Sequence, residues 1–252
     1  MSAGVDDGEP GNIVALETAT ETVGVAVQTA SGVYAEFTLT GRRRHVETLM
    51  PALDHLLAQV GLEAQDVDTV AVDIGPGLFT GLRVGVAAAK GLALALGARV
   101  VAARSTDVLL GGAAAAGHRG PVLAVVDARR GEVFAALRDV GRGDGSGEDV
   151  LALGLASPDQ LVAALRAAAE TGARPGIVAC GDGAARYAGL LESVPGLRCL
   201  TDVLVFPPPS ALASMARGRS AGGDVVADAA ALTPLYLRDA DARRNFAQVG
   251  SG

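Results

Sequence analysis

Tryptophan is absent from this sequence, lysine occurs once (Lys90), and aromatic residues make up only 3% of its 252 positions. A core here must therefore be filled by Ala, Val and Leu. Chemistry that needs a lysine Schiff base has a single residue to draw on. Histidine is nearly as scarce: His45, His55 and His118 are all there are. A helical metal pair needs spacing near i, i+4, but Leu49 and Pro51 flank that register around His45 and His55, which excludes a histidine metal site. The same scarcity leaves a Ser-His-Asp or Cys-His centre little to work with. Cys180 and Cys199 suit a reducing cytoplasm as well as they suit one disulfide. Positive charge is also missing. The formal net charge is −7 and the pI about 5.0, so the chain lacks the basic footprint of a nucleic-acid binder. No apolar run reaches eighteen residues, since Lys90 interrupts the best stretch, Val84 to Leu96. The opening "MSAGVDDGEPG" is acidic, the opposite of a secretory signal. These absences leave a soluble, cytoplasmic α/β protein that does not span a membrane.

What is present is ordered alternation. "NIVALETATETVGVAVQTASGVYAEFTL" reads as three strands, Ile13 to Leu16, Thr22 to Gln28 and Val33 to Leu39, punctuated by "TATE" and "ASG". Val46, Leu49, Met50, Leu53, Leu56, Leu57 and Val60 recur with helical period, and Gly61 ends the helix. A strand "DTVAVDIG", a helix from about Thr80 to Leu96, a strand "RVVAA" and a helix from Asp107 to Ala116 follow. Then the pattern restarts. "PVLAVVDARRGEVFAALRDV" aligns with the opening, Glu17 against Asp127 and Val23 against Val133. Further elements are the strands "DVLALGLA" and "GIVACG", helices near Pro158 to Thr171 and Ala184 to Glu192, and a proline-started helix in "FPPPSALASMARGRSAGG". The repeat predicts two lobes, 12–110 and 111–240, between tails 1–11 and 241–252. The C-terminal segment is free to pack back on the first lobe.

The candidate chemistry centres on "TVAVDIGPGLFTGLRVGVAAAKGLALALG", Thr69 to Gly97. Gly75, Gly77 and Gly81 have neither dinucleotide nor P-loop spacing. Their turn still offers backbone N–H groups to an anion, or else it only aims the helix. Within the helix, Gly81, Gly85, Ala88, Ala89 and Leu92 share one side. Helical glycine costs roughly 1 kcal/mol, which a close backbone approach would offset, from the chain's own sheet or from a second chain. Glu17, Asp73, Asp127 and Glu132 lie at strand ends or turns, where carboxylates serve acid–base work, hold Mg²⁺ or simply cap. "GRRRH", ending at His45, either touches RNA through Arg42 to Arg44 or forms a solvated face paired with Glu47.

Taken together, "IVALETATETVGVAV", "RRHVETLMPALDHLL", "GPGLFTGLRVGVAAAKGLAL", "STDVLL", "DARRGEVF" and "PLYLRD" resemble, in order, the TsaB (YeaZ) family of bacterial tRNA threonylcarbamoyladenosine biosynthesis proteins. The resemblance runs from about Ile13 to Asp239. It implies an actin-like, Hsp70-like (ASKHA) two-lobe fold with a duplicated βββαβα core. It also implies a non-catalytic paralogue of the TsaD-type subunit, which it partners in transferring threonylcarbamoyl to adenosine 37 of tRNA. A TsaE-type ATPase joins the cycle, tRNA is met only indirectly, and the isolated chain self-associates. Carried onto this chain, the docking helices are His45 to Val60 and Thr80 to Leu96, with His45, Leu49, Leu53, Gly81, Gly85, Ala88, Ala89 and Leu92 as contact residues. A vestigial nucleotide or anion site falls on Glu17, Thr18, Gly75, Gly77 and Asp127. "CGDGA", Cys180 to Ala184, is the nearest counterpart of an adenosine-side glycine pair. No cofactor is then required, and ATP or ADP would bind weakly or at the joint interface. Glu17 stands where the family favours Asp, and Leu78 where it favours Ser. The rival reading is a stand-alone ATP/Mg-dependent kinase or carbamoyl-transfer enzyme of the same fold.

Overall fold

The computed structural model describes residues 11–41, 45–141, 147–170, 176–222 and 229–237. Arg42 to Arg44, both expected tails apart from Gly11, and most of the Gly141–Glu148 loop lie outside those residues.

Two five-stranded sheets repeat one topology. The first holds β1 (Ile13–Glu17), β2 (Thr22–Gln28), β3 (Tyr34–Thr40), β4 (Thr69–Asp73) and β5 (Arg99–Ala103) in the order β3-β2-β1-β4-β5. The second holds β6 (Gly120–Arg129), β7 (Glu132–Val140), β8 (Gly147–Ala156), β9 (Val178–Cys180) and β10 (Arg198–Cys199) in the order β10-β9-β6-β7-β8. In each, the first three strands form an antiparallel meander and the last two add in parallel through helical crossovers. This is the duplication that the restarted pattern implies, in the actin-like form that the resemblance implies. β1 reads "IVALE" without alternation because it is central and covered on both faces, as parallel neighbours require.

In the first lobe, α1 (His45–Val60) and α2 (Phe79–Leu96) cover one face, on Val14, Leu16, Val25, Val70 and Val72. The other face, with Ile13, Ala15, Ala71 and Val101, lies under α7 (Pro209–Gly222). α3 (Ser105–Ala115) runs between the lobes, packing on α7, β6 and β7. The second lobe is completed by α4 (Pro158–Glu170), α5 (Asp182–Arg186) and α6 (Ala188–Leu191). By length and composition α2 passes for a membrane span, contrary to the expectation from Lys90, but its Gly81, Leu82, Gly85, Val86, Ala89 and Ala93 are buried on the sheet.

Several boundaries move. α3 starts at Ser105, because Ser105 and Thr106 are already buried against the sheet end. The helix expected over Ala184 to Glu192 is two short ones broken at Tyr187. The C-terminal elements pack back on the first lobe, with Leu237 reaching the cluster that holds Val122 and Phe134. α7 supplies Ala211, Leu212, Met215 and Ala216 to the first lobe's core, and Leu232 is buried in the cluster beneath α1 and α2. Behind Leu232, Leu235 N donates to Ile74 O at 2.7 Å, Lys90 Nζ donates to Ala230 O at 2.9 Å, and the Tyr236 ring lies 5.3 Å from that of Phe79. Both cysteines are free, and burial pushes the Cys180 thiol up to about 12.

Candidate functional site

The glycine-rich loop and the small-residue side of α2 receive the chain's own β1–β2 turn. A Cβ on Gly77 would stand 2.1 Å from Ala19 O, one on Gly81 2.0 Å from Thr18 O, and one on Gly85 2.3 Å from Thr18 Oγ1. Hydrogen bonds fix the same contact: Leu78 N donates to Ala19 O at 2.6 Å and Thr18 Oγ1 donates to Gly81 O at 2.8 Å. His45, at the start of α1, sets its Nε2 3.0 Å from Thr20 O. At Gly77 and Gly81, then, the expected anion position is taken by the Ala19 and Thr18 carbonyls, whereas Gly75 packs on Leu82 and Leu235. A carbonyl oxygen occupies the cradle, where it would repel an anion, and the loop's Leu78 N–H is already used.

Glu17 and Asp73 are fully buried at the carboxyl ends of β1 and β4. Glu17 Oε1 accepts from Ala19 N at 2.8 Å, and Asp73 Oδ1 accepts from Gly75 N at 2.7 Å and from Ser105 Oγ at 2.8 Å. Their other oxygens, Glu17 Oε2 and Asp73 Oδ2, have no hydrogen-bond partner among the described residues, and burial, with the Asp73 charge beside it, holds the Glu17 carboxyl well above the ordinary range. Asp127, at the matching place in the second lobe, is saturated differently. Its Oδ1 accepts from Arg129 N at 2.9 Å, and its Oδ2 lies 3.1 Å from Arg129 Nη1 and 3.0 Å from Arg186 Nη1. Arg129 also reaches across to Glu21 Oε1 at 2.6 Å, linking the two lobes' turns. Asp127 N donates to Asp182 Oδ1, and burial pushes the Asp182 carboxyl up to about 6. Glu132 opens β7 outside this cluster. In "CGDGA", Gly181 and Gly183 admit β6, since a Cβ on them would stand 2.1 Å from Val125 O and 2.7 Å from Val125 Cγ1. No cluster of three or more metal-ligating side chains occurs among the described residues.

The expected docking residues prove to be inward-facing. His45, Leu49, Leu53, Gly81, Gly85 and Ala89 are buried within the lobe, while Ala88 and Leu92 are half-buried at its edge. The outward sides of the same helices carry apolar residues as well, among Glu47, Asp54, His55 and Gln59 on α1 and with little polar company on α2. Val46 is 73% exposed and Met50 37% on α1; Phe79 is 52% and Leu94 69% exposed on α2, with Ala87 and Gly91 between them. Gly91 faces open space and its φ is not positive, so nothing within the chain requires glycine there. Sequence reading missed this side, although Ala87-x3-Gly91 repeats the small-x3-small spacing of Gly81-x3-Gly85.

Comparison with known proteins adds the family. A family model described as "TsaD: tRNA N6-adenosine threonylcarbamoyltransferase" matches residues 32–185. The tRNA threonylcarbamoyladenosine biosynthesis protein TsaB of Bacillus subtilis is 30% identical over 240 residues, covering 93% of this chain and 97% of that one. Its Escherichia coli namesake is 36% identical over 122 residues, 48% of this chain and 52% of that protein. The solved structure of YeaZ from Pseudomonas aeruginosa superposes with a TM-score of 0.75 at 26% identity, over 90% of this chain and all of that one. With a relative of that identity spanning nearly the whole of both chains, and with the two-lobe architecture in common, the chain belongs to the TsaB (YeaZ) family.

Proposed function

We propose that this chain serves tRNA threonylcarbamoyladenosine formation as a non-catalytic subunit, docking on a TsaD-type transferase through the outward sides of α1 and α2. One observation carries the reading: the outward side of α2 is mostly apolar, with a glycine facing open space, while both strand-end turns are filled by the chain's own groups. A helical glycine costs about 1 kcal/mol and gains nothing inside this chain, so its use lies in the close approach of a partner helix. An apolar surface of this kind also favours self-association when the partner is missing. In this reading the TsaE-type ATPase acts on the assembled complex, tRNA is contacted through the partner, and the setting is cytoplasmic.

Reconstituted threonylcarbamoylation of tRNA tests the role. Product is expected only when this chain and the TsaD-type subunit are both present, and product from this chain alone would refute it. The rival kinase reading has a separate test. A magnesium–ATP site with a Kd near 10 μM would add about 2.7 kcal/mol at 1 mM ligand. For a protein of this size that is a rise of roughly 5–10 °C in Tm. No such rise is expected, because the Asp127 carboxylate is already occupied by two guanidinium groups.

A further inference from the structure

The chain crosses between its lobes twice, through α3 and through residues 200–208 into α7, and the heads of both helices meet the Glu17–Asp73 pair. On the α3 side, Ser105 Oγ donates to Asp73 Oδ1 at 2.8 Å while Ser105 N donates to Gly75 O at 2.9 Å. On the α7 side, Pro209 shares the space above Gly24 with Glu17: a Cβ there would stand 2.8 Å from Pro209 Cγ and 3.2 Å from Glu17 Cβ. β1 and β4 pair in parallel with Leu16 beside Val72, which sets Glu17 next to Asp73 at the strand ends; Glu17 Oε2 and Asp73 Oδ2 each lack a hydrogen-bond partner among the described residues, and neither residue is exposed at all. Two ionised carboxylates side by side in a buried site repel each other strongly, and one proton between them relieves that repulsion.

We propose that Glu17 and Asp73 form a one-proton switch at the junction of the lobes: protonated, the pair clamps the heads of α3 and α7 onto the sheet; deprotonated, it loosens them. The surrounding charges do not relieve the pair. His45 on α1 is turned to Thr20 O, Arg104 and Arg138 are engaged by Asp107, and Arg217 holds the opposite end of the first sheet. Across the junction, Arg129 is held by Glu21 and Asp127. None forms an ion pair with Glu17 or Asp73. Burial, and then the Asp73 charge, hold the Glu17 carboxyl well above the ordinary range; burial raises Asp73 too, with the Asp107 charge adding to it.

The sign follows from proton counting. Across the interval between the ordinary carboxylate value and the raised one, the folded chain keeps a proton that the unfolded chain has lost. Stability is therefore full below that interval and falls as pH rises through it, by about tenfold in the folding equilibrium constant per pH unit. Denaturant unfolding of the whole chain between about pH 5 and 9 reads this directly, with small-angle scattering reporting the radius of gyration. Glu17→Gln keeps an N–H donor for Asp73 but has no proton to lose. It is expected to flatten the slope, to exceed the wild type in stability at the alkaline end, and to hold its radius constant where the wild type expands. Asp73→Asn, which donates to an ionised Glu17, should flatten the slope as well and stands as the second variant if the first fails to fold. A Glu17→Gln protein with the wild-type slope, or a wild type whose radius is unchanged across the falling limb, overturns the proposal.

Discussion

Gly81→Ala is expected to destabilise the first lobe by about 3 kcal/mol or more, lowering Tm by roughly 10 °C, although alanine is the better helix former. The added methyl would stand 2.0 Å from Thr18 O and 3.3 Å from His45 Nε2. Thr18 cannot retreat easily, because its hydroxyl is bonded to Gly81 O and the adjacent Ala19 carbonyl is held by Leu78 N. The same substitution ten residues further along the helix supplies the control. Gly91→Ala meets nothing within 4 Å and should gain about the 1 kcal/mol of helix propensity, so two glycine-to-alanine changes in α2 move Tm in opposite directions. Thermal unfolding of the two variants decides it. A Gly81→Ala protein as stable as the wild type would mean that the turn is not seated on α2.

Gly91→Trp carries the second large effect, and on a different readout. At an outward position a bulky side chain leaves the fold alone but holds a partner helix away from α2. Affinity for the TsaD-type subunit should fall at least 100-fold, the scale of a binding hot spot, with Tm and circular dichroism unchanged. Isothermal titration against that subunit reads it, and wild-type affinity in the variant would remove α2 from the docking surface. Gly85→Leu is no substitute. Its Cβ meets Thr18 Oγ1 at 2.3 Å, so that variant loses pairing by losing its fold.

These opposite fates mark where the sequence stopped being informative. The strands and both meanders could be read from alternation and turn residues, and the restart at Pro121 revealed the duplication. α1 carried the signal, since Leu49, Leu53, Leu56 and Leu57 form a stripe against Asp54 and Gln59, yet His45, Leu49 and Leu53 were expected at the docking surface and face the core. α2 carried none. It is apolar nearly all round, and its orientation is decided by Thr18 and Ala19, some sixty residues earlier, so a small-residue side looks alike from both directions. The state of the acidic turns was hidden for a similar reason. That Asp127 is neutralised depends on Arg186, and that Glu17 is paired depends on Asp73, fifty-nine and fifty-six residues away. The proline-started helix was recognised in its own right, but nothing local in "PPPSALASMA" says which lobe it covers.

That last placement affects how the chain is made. The second lobe's sheet comes from one continuous stretch, Gly120 to Cys199, whereas the first lobe joins β1 to β5, α1 and α2 with α7 and Leu232 from far along the chain. Synthesis proceeds from the N-terminus and domains fold as units, so the lobe begun first is the one finished last. Until α7 has left the ribosome, the face bearing Ile13, Ala15, Ala71 and Val101 lacks the helix that covers it. During that interval the nascent first lobe exposes an apolar, alanine-rich sheet face, while the second lobe's strands downstream of it are already able to pair.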